Sequence, residues 1–215
     1  MTSNHHEKII IRLLLISGYC TSTALSAQET LVPCDTEFLS GYYKGVDLII
    51  DQAINQEPEI SLTVIPSFFP EDGIRLMSNR VYYVQLKSSF WEQARFLESG
   101  WVKRATKTVK KIKTESFNAS LDPILVDRIK LTYKNAIAKA KETDQFGLDG
   151  VTYRFSIPDA GCGETWSPEK SSPNGQLAAL YDLLVSHSKL TTHDDIHKSE
   201  KSIKEFLNTL SPTES

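Results

Sequence analysis

Two carboxylates and a tryptophan lie close together in the sequence between residues 148 and 168. Asp149 belongs to an Asp-Gly pair, and Glu164 and Trp166 follow in a run rich in small residues. Paired carboxylates are typical of general acid and base catalysis, whereas an aromatic side chain on a rigid loop makes a good binding anchor. A third interpretation is purely structural, with Asp149-Gly150 turning the chain and Trp166 filling the edge of the core. All three side chains are therefore candidate binding residues, and the two acids are also candidate catalysts.

A second group of residues that can do chemistry is formed by histidines near the C-terminus. His193 and His197 are four residues apart and share one face of a predicted helix, close to Asp194 and His187. Such a set can bind a transition metal. Histidines on a polar helix are more often simply solvated, and the glutamate of a metalloprotease motif is missing. We therefore predict no metal site and no cofactor.

The absence of common catalytic motifs from the sequence favours a protein that is not an enzyme. The sequence has no glycine-rich phosphate loop, no Gly-x-Ser-x-Gly elbow, no Cys-x-x-Cys and no His-Glu-x-x-His. Its net charge is only −3, which indicates neither a nucleic acid nor an anionic membrane surface as partner. One basic run, with six lysines and arginines between Lys103 and Lys113, is interpreted as a solvated face.

The first 27 residues have the order of regions that is typical of a secretory signal. A polar stretch with Lys8 and Arg12 precedes the apolar run Leu13–Tyr19 and the small residues Thr21–Ala27. The apolar run is too short to span a bilayer, and a tyrosine before Cys20 fits a lipoprotein signal poorly. We predict cleavage after Ala27 and a periplasmic or secreted protein. No later segment is long and apolar enough to span a membrane.

Cys34 and Cys162 are the two cysteines that remain after the predicted cleavage. In an oxidising compartment an even pair predicts a disulfide. A nucleophilic thiol is the alternative, but no motif supplies the histidine that would activate it.

Hydrophobic periodicity predicts the elements that must position these residues. We expect helices over 35–55, 90–97, 123–142, 172–190 and about 192–210, the last of them polar. Strands are expected over 59–68, 74–77, 81–86 and 101–117, and over the alternating run that begins at Val151. Residues 160–171, which carry Cys162 and Trp166, are expected to form an irregular loop. Residues 28–215 thus predict a single α+β domain with a mainly antiparallel sheet of four or five strands covered by helices.

Short motifs in the same region resemble a group of uncharacterised exported bacterial proteins. The resemblance rests on Leu148-Asp149-Gly150, on Trp166-Ser167-Pro168 and on Ile65-Pro66-Ser67-Phe68. It implies bacterial origin and export, and it implies no activity. The preferred hypothesis is a non-enzymatic interaction module that binds another envelope or secreted protein. The alternative is a hydrolase that acts on an envelope polymer through Asp149 and Glu164.

Overall fold

A computed structural model describes residues 30–34, 40–94, 112–143 and 149–210 of the chain. The helices are α1 (Ser40–Ile54), α2 (Phe90–Ala94), α3 (Pro123–Ala138), α4 (Pro173–Ser188) and α5 (His193–Leu210). The strands are β1 (Val32–Pro33), β2 (Ile60–Pro66), β3 (Asp72–Met77), β4 (Arg80–Leu86), β5 (Thr114–Ser120), β6 (Val151–Ile157) and β7 (Gly161–Trp166). The predicted signal segment and the basic run, except for Lys113, lie outside the described residues.

All these strands belong to one antiparallel sheet of seven strands in the order β1-β7-β6-β2-β3-β4-β5. Strands β2, β3 and β4, which correspond to the strands predicted over 59–68, 74–77 and 81–86, follow one another as an antiparallel meander. The α+β class and the antiparallel sheet are confirmed, but the predicted number of four or five strands is wrong.

The two additional strands lie at one side of the sheet, where the sequence signal is weak. Residues 161–166 were expected in a loop, yet they form β7 and pair with β6 from Ile157↔Gly161 to Thr152↔Trp166. Gly161 and Gly163 remove the apolar side chains that would have marked a strand. Strand β1 has only two residues and pairs with β7 through Val32↔Glu164. The predicted disulfide is confirmed, because it joins Cys34 to Cys162 with a Cα–Cα distance of 5.4 Å.

Two of the helices begin at caps that the sequence encodes. A carboxylate oxygen of Asp122 accepts a hydrogen bond from the Ile124 amide at 2.8 Å, and Pro123 occupies the first turn of α3. The hydroxyl of Ser172 accepts one from the Gly175 amide at 3.0 Å at the start of α4. These caps satisfy backbone donors that have no partner within the helix.

The main core lies between one face of the sheet and helices α3, α4 and α5. Successive side chains of a strand point to opposite faces, so Ile60, Leu62 and Val64 of β2 all enter this core. Tyr133 of α3 stacks on Phe155 of β6 with 4.8 Å between the ring centroids. This packing fixes α3 and α4 against the sheet.

The opposite face of the sheet is covered in part by α1 and α2. Val46, Ile49 and Ile50 of α1 pack with Val84 and Leu86 of β4 in a second apolar cluster. The two faces together explain why β4 is buried on both sides.

A buried arginine lies beside that second cluster. The Arg75 side chain is fully buried and donates to Asp51 at 2.6 Å and to Asp47 at 2.9 Å, both on α1. Its remaining donors reach Thr63 Oγ1 and the carbonyl oxygens of Leu62 and Ile74. Arg75 therefore links α1 to β2 and β3 through a fully satisfied polar network.

Candidate functional site

Four exposed aromatic side chains lie at one end of the sheet. Phe68 and Phe69 are 75% and 70% exposed, Trp166 is 40% exposed and Trp91 is 39% exposed. The register places the end of β2 beside the start of β6, because Pro66 pairs with Val151. It also places the end of β7 there, because Trp166 pairs with Thr152. We call the surface formed by Phe68, Phe69, Trp91 and Trp166 the aromatic end.

The connection that carries the two phenylalanines is anchored at its C-terminal side by a buried carboxylate. Glu71 is fully buried and accepts hydrogen bonds from the Tyr42 hydroxyl at 2.6 Å and from the amides of Phe90 and Trp91 at 2.8 and 3.1 Å. The Ser89 hydroxyl also donates to it, at 3.2 Å. Burial, followed by the charge of Glu71, raises the pKa of the Tyr42 hydroxyl well above its ordinary value. Glu71 thus ties the connection to the start of α2, where Trp91 lies.

The N-terminal side of the same connection is tied to β6 and β7. The Ser67 amide donates to the Gly150 carbonyl at 2.9 Å, and the Gly150 amide donates to the Ser67 hydroxyl at 3.0 Å. Gly150 in turn lies against Trp166, since a Cβ atom added there would sit 2.7 Å from the indole Nε1. The connection is therefore fixed at both sides, to Gly150 beside Trp166 through Ser67 and to the start of α2 through Glu71.

Glu164, the second predicted site residue, takes part in an ion pair on the face of the sheet that α1 partly covers. Its carboxylate accepts from the Arg154 guanidinium at 2.6 Å, and the two side chains are 17% and 12% exposed. The same guanidinium lies 3.7 Å from the ring centroid of Tyr43 and donates to Cys162 Sγ at 3.9 Å. The ion pair and the cation–π contact join α1 to β6 and β7 beside the disulfide.

The structure does not bring Asp149 and Glu164 together as a carboxylate pair. Glu164 lies opposite Arg154 in the register, whereas Asp149 is exposed and precedes the first residue of β6 by two positions. The three residue steps from Val151 to Arg154 alone span about 10 Å. Carboxyl groups that flank a glycosidic bond lie roughly 5 to 9.5 Å apart. The hydrolase alternative stays a prediction that this geometry does not favour.

Asp72, at the start of β3, is a titratable group that the sequence analysis did not single out. Its carboxylate accepts hydrogen bonds from the hydroxyls of Tyr181 and Tyr83. Burial raises the pKa of Asp72 to about 6, although both tyrosine hydroxyls act to lower it. Lys189 lies 4.8 Å from the ring centroid of Tyr83. The Asp72 side chain faces α4, and Asp72 directly follows the buried Glu71 in the chain.

The histidines near the C-terminus do not form a joint site. His187 is fully buried, and its ring nitrogens lie 3.0 Å from Ser199 Oγ and 2.8 Å from the Ser120 carbonyl oxygen. The side chains of His193 and His197 are 95% and 79% exposed on α5. Across the described residues no cluster of three or more histidine, cysteine, aspartate or glutamate side chains is placed to hold a metal ion.

The comparisons with known proteins add no family assignment. Searches against protein-family models, curated proteins and solved structures find no significant match to this chain. Within the described part of the chain, no helix has the length and apolarity needed to cross a bilayer.

Two of the four aromatic residues, Phe68 and Phe69, have a recognisable signal in the sequence. Phe68 and Phe69 stand in a turn, directly before Pro70, where polar residues are the usual choice. Two consecutive phenylalanines at such a position indicate an exposed apolar surface. Trp91 gave no comparable signal, because its position at this end of the sheet depends on the hydrogen bond from its amide to Glu71.

Proposed function

We propose that this protein is an exported interaction module that binds another envelope or secreted protein through the aromatic end. The observation that carries the proposal is the exposure of four aromatic side chains on strand ends and connections that are anchored to the sheet. The disulfide supports an oxidising compartment, in which such bonds form and persist.

The energetics of protein interfaces support the use of these side chains as anchors. Complete burial of a phenylalanine is worth about 1.5–3 kcal/mol, and tryptophans are enriched among the residues that dominate binding energy. The anchoring by Glu71 and by Ser67 limits the ordering that a partner has to impose, and pre-organisation of this kind raises affinity. Trp166, predicted as a binding residue from the sequence, belongs to this surface. Asp149 lies next to it through Gly150, whereas Glu164 supports β7 through its ion pair.

Quantitative capture from envelope extracts tests the proposal with a matched pair of variants. Phe69 is 70% exposed at the aromatic end, and Ile124 is 69% exposed on α3. Wild type, Phe69→Ser and Ile124→Ser serve as bait, and each captured protein is identified by mass spectrometry. It is then purified and titrated against the three baits. We expect at least a tenfold weaker affinity for Phe69→Ser and an unchanged affinity for Ile124→Ser. Equal affinities for all three baits, or the absence of any partner, would contradict the proposal.

Export is tested separately by the intact mass of the protein from its producing cell. A chain that begins at Gln28 and carries an oxidised Cys34–Cys162 pair is expected. A chain that retains residues 1–27 and has reduced cysteines would contradict the assignment to an oxidising compartment.

A further inference from the structure

A groove of about 340 Å³ lies between α3, the first turns of α4 and the last residue of α5. This volume falls at the lower end of the range for small-molecule sites. The groove belongs to the helical layer and shares no residue with the aromatic end. Its properties are therefore independent of the proposed function.

The long side of the groove is a single stripe of α3. Arg128, Leu131 and Asn135 recur along it at intervals of three and four residues, which places them on one face of the helix, and Lys139, the C-cap residue, follows four residues later. Eleven residues separate Arg128 from Lys139, so the stripe is about 16 Å long. The groove therefore suits an elongated ligand.

Apolar residues supply six of the thirteen lining residues. Leu31 and Leu177 are almost completely buried, and Leu131 is 58% exposed. The six apolar lining residues are Leu31, Leu131, Ala136, Pro173, Leu177 and Leu210. An apolar ligand body would remove from water the part of this surface that is exposed, above all Leu131, which is favourable.

The charges around the groove have one sign. Arg128 and Lys139 are the two charged residues of the lining, and none of the described lining residues is an aspartate or glutamate. Arg128 donates to the side-chain oxygen of Asn208 at 2.9 Å. Among the described residues neither cation forms an ion pair. In a chain with a net charge of −3, two cations without acidic partners form a local positive field.

We infer that the groove binds a small anionic amphiphile, a medium-chain carboxylate, whose chain lies on the apolar lining residues and whose head group lies at one end of the stripe, where Arg128 or Lys139 attracts it. The cations select the sign of the head group, and the apolar lining residues select for a chain. The inference predicts that both parts of the ligand are required for binding.

Isothermal titration calorimetry of the full chain with decanoate, below its micelle concentration, tests the inference. Saturable binding of one decanoate per chain is expected. Decyltrimethylammonium, with the opposite charge, and butanoate, with a short chain, are each expected to bind at least tenfold more weakly. Equal binding of the cationic amphiphile, or no saturable binding of decanoate, would overturn the inference.

Two matched pairs of variants locate the binding. Leu131→Glu places an acid in the groove and is expected to weaken decanoate binding at least tenfold, whereas Ile124→Glu, at a 69% exposed position of the same helix, leaves it unchanged. Arg128→Gln with Lys139→Gln is also expected to weaken binding at least tenfold. Lys134→Gln, which removes a lysine paired with Asp159 and is not part of the lining, leaves it unchanged.

The variants distinguish the carboxylate from other occupants of the groove. Equal losses in a groove variant and its control would place decanoate elsewhere and overturn the inference. Sedimentation velocity without decanoate provides a further check. A dimer that Leu131→Glu dissociates and Ile124→Glu does not would assign the groove to a second copy of the chain, and would also overturn the inference.

Discussion

Replacing Asp72 by asparagine is expected to remove a pH dependence of stability that originates at the start of β3. The folded-state pKa of about 6 lies above the ordinary value of 3.8, so the folded protein binds this proton more tightly than the unfolded chain does. The stabilisation from the bound proton is therefore fully present below about pH 4. It is lost as the pH rises through about 6.

The magnitude follows from the difference between the two pKa values. About two pKa units correspond to about 3 kcal/mol in the free energy of unfolding, as an upper figure. Asparagine keeps the size of the side chain and an oxygen that accepts a hydrogen bond from Tyr181 or Tyr83, but it cannot ionise. The difference in stability between variant and wild type is therefore expected to shift in favour of the variant by up to about 3 kcal/mol between pH 4 and pH 7.5.

Urea unfolding at a series of pH values, with the disulfide intact, measures this shift. A cost of the substitution that does not depend on pH cancels, because only the change of the difference with pH is used. Asp127→Asn, at an exposed position of α3, serves as the control and should leave the pH dependence unchanged. If the difference between Asp72→Asn and wild type stays constant within about 0.5 kcal/mol across this range, the reasoning from burial is refuted.

Three further substitutions test the remaining contacts. Arg75→Ala is expected to lower the free energy of unfolding by about 3 kcal/mol in urea unfolding, because the buried guanidinium joins α1 to the sheet; a loss below 1 kcal/mol would contradict this role. Replacing Cys34 and Cys162 by serine should lower it by up to about 4–5 kcal/mol, since the disulfide closes a sequence separation of 128 residues; reduced wild type should then match the variant. Gly150→Ala forces a Cβ atom against the indole of Trp166 and should change tryptophan fluorescence and cost about 1–3 kcal/mol; an unchanged spectrum would argue against this contact.

Elements with strong local signals were predictable from the sequence. The strict alternation at the start of β6 and the meander of β2, β3 and β4 are confirmed. The starts of the helices predicted over 123–142 and 172–190 are confirmed, because a capping residue followed by proline is a strong local signal for the start of a helix. The pairing of Cys34 with Cys162 was predictable because the predicted cleavage leaves only two cysteines.

Elements defined by their partners were not predictable. Residues 161–166 form a strand because they pair with β6 along their whole length. Gly161 and Gly163 have no side chain that would indicate a strand in the sequence. Arg75 looks like an exposed strand residue until α1 brings Asp47 and Asp51 above it. The long-range pairing that creates these environments leaves no mark in the local periodicity.

One part of the candidate site was predictable from the sequence and the other part was not. Trp166 was predicted from its residue type and its neighbourhood in the sequence, and it is exposed at the end of β7. The joint surface with Phe68 and Trp91 was not predictable, because it depends on the order of β7, β6 and β2 in the sheet. The predicted link between Asp149 and Glu164 rested on nearness in sequence, and the intervening strand separates them.

Strand β1 and the disulfide together cover one margin of the sheet, at β7. A strand at the margin of a sheet offers unpaired amides and carbonyls to any other extended chain, which is a common start of aggregation. Here β1 lies over the outer side of β7, and its Pro33 has no amide hydrogen to offer to a further strand. A strand of only two residues pairs weakly with its neighbour, but the disulfide between Cys34 and Cys162 keeps β1 next to β7. Reducing agents are therefore expected to promote fibril-like assembly through β7, even under conditions in which the helical layer stays folded.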